Sequence, residues 1–191
     1  MAGLWNECYR NHEEIFYKTV VGNLYVYDLT AWHLRDPKVK TWIEKIVSLA
    51  YRNILDFGCG IGTYSLNLIK RGLQVTAVDI NPVLLDFVKW RLKKRGFTAK
   101  LSPVMPNCLF DTIVAIDTIE HLSDPAAWLC NALARLNRKG QILVTWHFHD
   151  CAGAHPMHVS DKEKVMKFFD IIQDYCRHEL SDGIQILRHR I

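Results

Sequence analysis

The chain has 191 residues, 49% of them apolar and 23% charged, with a formal net charge of +4. That length is most simply one compact unit with a full core, and the mild positive charge admits an anionic small molecule without calling for nucleic acid. No apolar run approaches membrane-spanning length, and the polar N-terminus Met-Ala-Gly-Leu-Trp-Asn-Glu does not read as a signal peptide. The six cysteines (Cys8, Cys59, Cys108, Cys130, Cys151, Cys176) form no Cys-x-x-Cys pair and fit the reduced thiols of a cytoplasmic protein.

Residues 1–50 are expected to form a helical cap rich in aromatics: Trp5, Tyr9, Phe16, Tyr17, Tyr25, Tyr27, Trp32 and Trp42. Asp36-Pro37 is a helix start, and Val39, Trp42, Ile43, Ile46, Val47 and Ala50 recur with helical period. From residue 53 strands and helices alternate. Strands are predicted at 53–57, 74–79, 98–101, 111–117 and 141–147, and helices at 63–71, 82–95, 125–137 and 161–175. The runs from Thr112 to Ile116 and from Ile142 to Thr145 suit strands buried on both faces, so the core over 51–191 reads as a parallel α/β sheet. Lys89, Arg91, Lys93, Lys94, Arg95 and Lys100 read as the solvated face of a helix, away from the reaction site. Near the end, Asp182-Gly183 separates two short strand-like runs and signals a hairpin.

The most informative stretch is Asn53 to Thr63, an apolar strand ending in Asp56 followed by Gly58, Gly60 and Gly62. Glycines at this spacing let the backbone turn sharply and approach a ligand, and the following helix offers its N–H groups. The Asp56 carboxylate is a poor host for a pyrophosphate and a good one for an ammonium. That points away from NAD and towards S-adenosylmethionine. A nucleotide-dependent oxidoreductase is further disfavoured because Thr63 breaks the Gly-x-Gly-x-x-Gly pattern counted from Gly58. Asp79, at the end of the second strand, is placed to bind ribose hydroxyls. The competing role is a helix cap, in which Asp79 or Asn81 precedes Pro82.

Together with the segment from Phe110 to Pro125, which contains Asp117, Glu120 and His121, these motifs resemble the class I S-adenosylmethionine-dependent methyltransferases. The likeness is to the small-molecule branch that includes the ubiquinone-biosynthesis O-methyltransferases, and it covers about residues 50–150. It implies a Rossmann-like, seven-stranded, mostly parallel sheet with the last strand antiparallel, helices on both faces and an N-terminal helical cap. It implies a cofactor set of Asp56, Phe57, Gly58, Cys59, Gly60, Asp79, Ile80, Asn81, Ser102 and Asp117. Ser102 stands where the family often has an acid for the adenine amine.

If 117–121 form one helical turn, Asp117, Glu120 and His121 share a face and could hold a divalent metal. That spacing is similar to the metal set of small-RNA 2′-O-methyltransferases. The simpler reading makes Asp117 a cofactor contact and leaves Glu120 and His121 to hydrogen-bond the loops. Four histidines (His147, His149, His155 and His158) cluster after the fifth strand, at the edge where ligands bind. His158 and His149 are the favoured functional members, with His121 a further candidate, because an imidazole there can take the acceptor's proton. Tyr17, Tyr25, Tyr27 and Trp32 are candidates for an aromatic substrate lid. The expected function is methyl transfer from S-adenosylmethionine, leaving S-adenosylhomocysteine, to oxygen or nitrogen of a small molecule by a monomer or homodimer. The alternatives are a metal-dependent RNA methyltransferase and a non-catalytic partner subunit.

Overall fold

The computed structural model describes residues 15–20, 22–148, 158–159 and 161–190. After a π-helical turn at Phe16–Val20, the elements run α1 (Gly22–Arg35), α2 (Pro37–Leu49), β1 (Asn53–Phe57), α3 (Thr63–Lys70), β2 (Gln74–Val78), α4 (Pro82–Lys93), β3 (Lys100–Ser102) and β4 (Phe110–Ala115). A 3₁₀ turn at Ile119–His121 follows, then α5 (Pro125–Ala134), β5 (Leu136–Val144), α6 (Lys162–Tyr175), β6 (Cys176–Ser181) and β7 (Ile184–His189). The strands form one seven-stranded sheet in the order β3-β2-β1-β4-β5-β7-β6. Strands β1 to β5 pair in parallel, and β7 runs antiparallel to both β5 and β6. This is the expected Rossmann-like sheet.

Strand alternation decides which helix each side chain meets. Ile54, Val114 and Leu143 face α2 and α3 and pack with Trp42, Ile46, Tyr64 and Leu68. Their neighbours Leu55, Ile113 and Ile142 face α5 and α6 and pack with Trp128, Leu129 and Phe168. Truncating a fully buried member such as Ile54 to alanine costs about 2–5 kcal/mol. Helix α2 starts where the sequence indicates: Asp36 accepts from the Lys38 N–H, with Pro37 in the first turn. The hairpin turn is also as read, because Asp182 and Gly183 both have positive φ (53° and 81°), which a two-residue turn of this hand requires.

Several boundaries differ from the pattern. The helix expected to reach 137 stops at Ala134, and β5 begins at Leu136 rather than 141. Asn137 to Gly140 look like a turn in sequence, but the Asn137 amide donates to Asp111 Oδ1 at 2.8 Å and holds the segment beside β4. Strand β4 ends at Ala115 rather than 117, because Asp117 turns into the left-handed region (φ 47°). Among the described residues no helix is long and apolar enough to cross a membrane.

Candidate active site

The chain leaves β1 for β2 on one side and reaches β4 on the other, so the strand ends diverge at β1 and leave a crevice at the carboxyl edge. A cavity of about 620 Å³ fills it. Its floor comes from Phe57 to Gly60 after β1, Asp79 to Asn81 after β2, Pro103 to Met105 after β3, and Ile116 to Thr118 after β4. Its roof is α1, which contributes Tyr25, Leu29, Trp32 and His33, together with Tyr17 from the preceding turn.

The glycine loop is bare because nothing larger fits. Gly58 has φ +68°, and a Cβ built on it would overlap the Thr118 side chain. The Gly60 N–H donates to Asp79 Oδ2 at 2.9 Å, and Asp79 Oδ1 accepts from the Asn81 N–H at 2.9 Å. Asp79 therefore braces the loop while lining the cavity. Burial pushes its carboxyl above the ordinary range, opposed by those two N–H donors. The helix cap is Asn81, not Asp79: Asn81 Oδ1 accepts from the N–H groups of Val83 and Leu84. The Asn81 amide donates to the Tyr17 carbonyl at 2.8 Å, so this residue ties the roof to the floor.

Asp56 is placed differently from its expected role. It shares strand parity with Ile54, so it faces α3 rather than the cavity. It is buried, and Oδ2 accepts from the Ser65 N–H at 3.0 Å and from the Ser65 hydroxyl. Burial raises its pKa to about 6, against the pull of the Ser65 bonds. The acids on the cavity wall are Asp79 and Asp117. Ser102 is also absent from the cavity lining: its hydroxyl donates to the Val104 carbonyl at 2.6 Å and accepts from the Val104 N–H at 3.2 Å, closing its own turn. Phe57, Cys59 and Ile80 do line the cavity.

The helical turn that would put Asp117, Glu120 and His121 on one face does not form. Asp117 stands outside the 3₁₀ turn of residues 119–121, in the left-handed region (φ 47°). Its carboxylate converges with that of Glu120, while His121 lines the cavity wall. The third member is His147, whose Nδ1 lies 3.4 Å from Asp117 Oδ1 and 3.3 Å from Glu120 Oε1. The two carboxylates raise the His147 pKa to about 10, so it is an imidazolium that compensates them. These three ligand-type side chains lie within 4.8 Å of one another.

Of the other histidines, His121 Nδ1 is hydrogen-bonded to the Tyr17 hydroxyl at 2.8 Å, and its ring meets His158 edge-on at 4.7 Å. His158 Nδ1 bonds the His147 carbonyl at 2.8 Å and is absent from the cavity lining. His149 and His155 lie outside the described residues, as do Trp5, Cys8, Tyr9 and Cys151. Of the lid candidates, Tyr17, Tyr25 and Trp32 line the cavity, and Tyr27 does not: it is 75% exposed on the far side of α1. Burial and the Asp79 charge push the Tyr25 hydroxyl up to about 12.

Three residues escaped the sequence reading: His33, Tyr64 and the inward turn of Arg91. Arg91 belongs to the basic stretch, yet its guanidinium donates to the Ile61 carbonyl at 2.7 Å and to Thr63 Oγ1 at 3.2 Å under the glycine loop. Tyr64 had a signal in its position directly after that loop. His33 had none beyond its place beside Trp32.

A family model described as a methyltransferase domain matches residues 31–177. The chain belongs to this methyltransferase family. It is 29% identical over 120 residues to a ubiquinone biosynthesis O-methyltransferase of Stutzerimonas stutzeri, a match covering 59% of this chain and 52% of that one. The chain thus spans about half the length of the curated relatives it matches. Among solved structures it is similar to a TehB-like S-adenosylmethionine-dependent methyltransferase of Corynebacterium glutamicum (TM-score 0.65, 18% identity, covering 87% of this chain and 97% of that chain). It is similar also to the N-methyltransferase NodS of Bradyrhizobium japonicum in complex with S-adenosylhomocysteine (TM-score 0.62, 18% identity, covering 84% and 92%). At those identities the structural likeness speaks for the fold of the methyltransferase and not for its acceptor.

Proposed function

We propose that this methyltransferase moves a methyl group from S-adenosylmethionine to an oxygen or nitrogen of a small molecule in the cytoplasm. One observation carries the reading: a bare glycine loop, the acids Asp79 and Asp117, and the imidazole of His121 meet in one cavity under an aromatic roof. The residues fit such a donor. Gly58 allows no Cβ, so backbone alone faces the ligand there. Asp79 accepts one N–H on each oxygen and keeps lone pairs for ribose hydroxyls. Asp117 offers a carboxylate to an ammonium, and Pro103, Val104 and Met105 offer an apolar wall to a base.

When bound, the donor supplies a methyl group already activated on a sulfonium. The chain then has to align the acceptor, exclude water and manage a proton. Tyr17, Tyr25 and Trp32 wall the cavity with π faces that favour a cation and shed water. His121 is the proposed proton acceptor, with its ring oriented by the Tyr17 hydroxyl at 2.8 Å. The roof formed by α1 suits an acceptor small enough to be enclosed. The unpaired thiols of Cys59, Cys108, Cys130 and Cys176 suit a reducing compartment. Oxygen as the acceptor atom is supported by the name of the curated relatives, which are O-methyltransferases.

Incubation with methyl-labelled S-adenosylmethionine and panels of phenols, catechols and amines tests the reading. Label should move to at least one acceptor class, and S-adenosylhomocysteine should bind in calorimetry. Absence of both the transfer and the binding would overturn it.

A further inference from the structure

Asn81 is 1% exposed, and both polar atoms of its side chain are engaged. Oδ1 accepts from the Val83 N–H at 2.9 Å and from the Leu84 N–H at 3.4 Å, which fixes the amide against the first turn of α4. An amide presents an acceptor on one side and an NH₂ donor on the other. With the acceptor turned to α4, the NH₂ faces away from it and donates to the Tyr17 carbonyl at 2.8 Å. The Asn81 backbone N–H donates to Asp79 Oδ1 at 2.9 Å, on the carboxylate whose other oxygen holds the glycine loop. One buried residue thus ties the floor of the cavity to a backbone carbonyl 64 positions earlier in the chain.

That carbonyl belongs to the π-helical turn Phe16–Val20. Such turns are rare and occur mostly at functional sites. Phe16 is fully buried and anchors the turn in the core. Loss of the Asn81 bond should therefore shift Tyr17 without releasing the turn. The Tyr17 hydroxyl lies 2.8 Å from His121 Nδ1, and the two rings meet edge-on with centroids 5.5 Å apart. His158 packs edge-on against the same imidazole at 4.7 Å. A proton acceptor must keep its ring within hydrogen-bond reach of the group it deprotonates, and a misplacement of about 1 Å can cost about a hundredfold in rate. The place of the His121 ring follows the Tyr17 hydroxyl, and the place of Tyr17 follows the Asn81 amide.

We propose that Asn81 is a positioning residue for proton removal: its amide, held by α4, sets the Tyr17 carbonyl and through it the hydroxyl that orients His121. The assignment rests on the reading that His121 takes the acceptor's proton, and the test separates the two. Asn81→Ser keeps an oxygen to cap α4 and removes the amide that reaches Tyr17. Asn81→Asp keeps the cap atom and puts an oxygen where the NH₂ stood, so it controls for loss of the cap. Nuclear magnetic resonance of the histidine Cε1–Hε1 groups reads the ring in the S-adenosylhomocysteine complex, with the His121 signal assigned by its disappearance in His121→Ala. Both Asn81 variants should move the His121 signal, and neither should move it further once Tyr17→Phe is present. On the acceptor class that takes label, Asn81→Ser and Tyr17→Phe should each lower kcat about five- to tenfold, while S-adenosylhomocysteine weakens no more than about threefold. Adding Asn81→Ser to Tyr17→Phe should change kcat by less than about twofold, because the two act through one contact. A His121 signal that stays in place in both Asn81 variants, or shifts that add to those of Tyr17→Phe, would overturn the positioning role and leave the proton-acceptor reading standing. Unchanged turnover in His121→Ala would overturn that reading and the Asn81 role with it.

Discussion

Thr145 and Asp117 hold each other through two hydrogen bonds: the Asp117 N–H donates to Thr145 Oγ1 at 2.7 Å, and the Thr145 hydroxyl donates to Asp117 Oδ1 at 2.9 Å. The pair keeps Asp117 at φ 47°, a conformation that costs a non-glycine residue about 1–2 kcal/mol. It aims the carboxylate at the cavity from the end of β4. Thr145→Val keeps the shape and removes both bonds. Loss of about 1–3 kcal/mol in urea unfolding is expected, along with an about fivefold weaker S-adenosylhomocysteine complex in calorimetry. Unchanged affinity would detach the Asp117 conformation from ligand binding.

Asp56 and Asp117 should separate cleanly as isosteric amides. Asp117→Asn removes the charge facing the cavity, and affinity for S-adenosylhomocysteine should fall about tenfold or more. Asp56→Asn keeps an oxygen for the Ser65 N–H and touches no cavity wall, so affinity should stay within about threefold. The pH profile supplies a second readout. The Asp56 carboxyl titrates near 6 in the fold, above its ordinary 3.8, so the folded state holds the proton more tightly. Its contribution to stability is greatest below about 4 and declines as pH rises towards 6. Asp56→Asn should flatten that segment of a chemical-unfolding series.

Gly58→Ala meets two obstacles, the positive φ and the Thr118 side chain. The backbone conformation alone costs about 1–2 kcal/mol, and the overlap pushes Thr118 away from its bond to the Ile116 carbonyl. The variant should be less stable by at least about 2 kcal/mol and should bind S-adenosylhomocysteine at least tenfold more weakly. A variant that binds like the wild type would show that the loop accepts a side chain.

His121→Ala should lower kcat about a hundredfold or more, the usual size of a proton-transfer contribution, while the dissociation constant of S-adenosylhomocysteine barely moves. Tyr17→Phe, which removes the hydroxyl 2.8 Å from His121 Nδ1, should have a smaller effect in the same direction. An equal fall in binding and turnover would assign His121 to architecture.

The His147 imidazolium titrates near 10, raised by Asp117 and Glu120. Because the folded value exceeds the ordinary 6.5, the pair's stabilisation is complete below about 6.5 and is lost as pH rises through 10. The side chain is 57% exposed, so solvent screening limits the effect to at most about 1 kcal/mol. Nuclear magnetic resonance should find this imidazole still protonated at pH 8, and Glu120→Gln should bring its titration down.

The alternation of apolar strands and amphipathic helices from residue 53 was sufficient for the sheet, because a parallel strand buried on both faces leaves an unbroken run such as Ile113 to Ile116. The cap at Asp36 was legible because it precedes a proline that opens a helix, whereas the cap before Pro82 stood open between Asp79 and Asn81 until the fold placed Asn81 Oδ1 on the Val83 and Leu84 N–H groups. The boundary at Leu136 was not, because the side chain that makes Asn137 to Gly140 part of β5 comes from Asp111, far away in sequence.

The chain order by itself determined the glycine loop, the acid that follows β2 and the family, since each depends on neighbours a few residues apart. Only the folded chain decided that Asp56 serves α3 while Asp117 meets the cavity, because strand parity and one left-handed residue set where each carboxylate points. Only the fold joined His33, Tyr64 and Arg91 at one corner, since their contacts cross from the roof to the floor and link segments that share no local pattern.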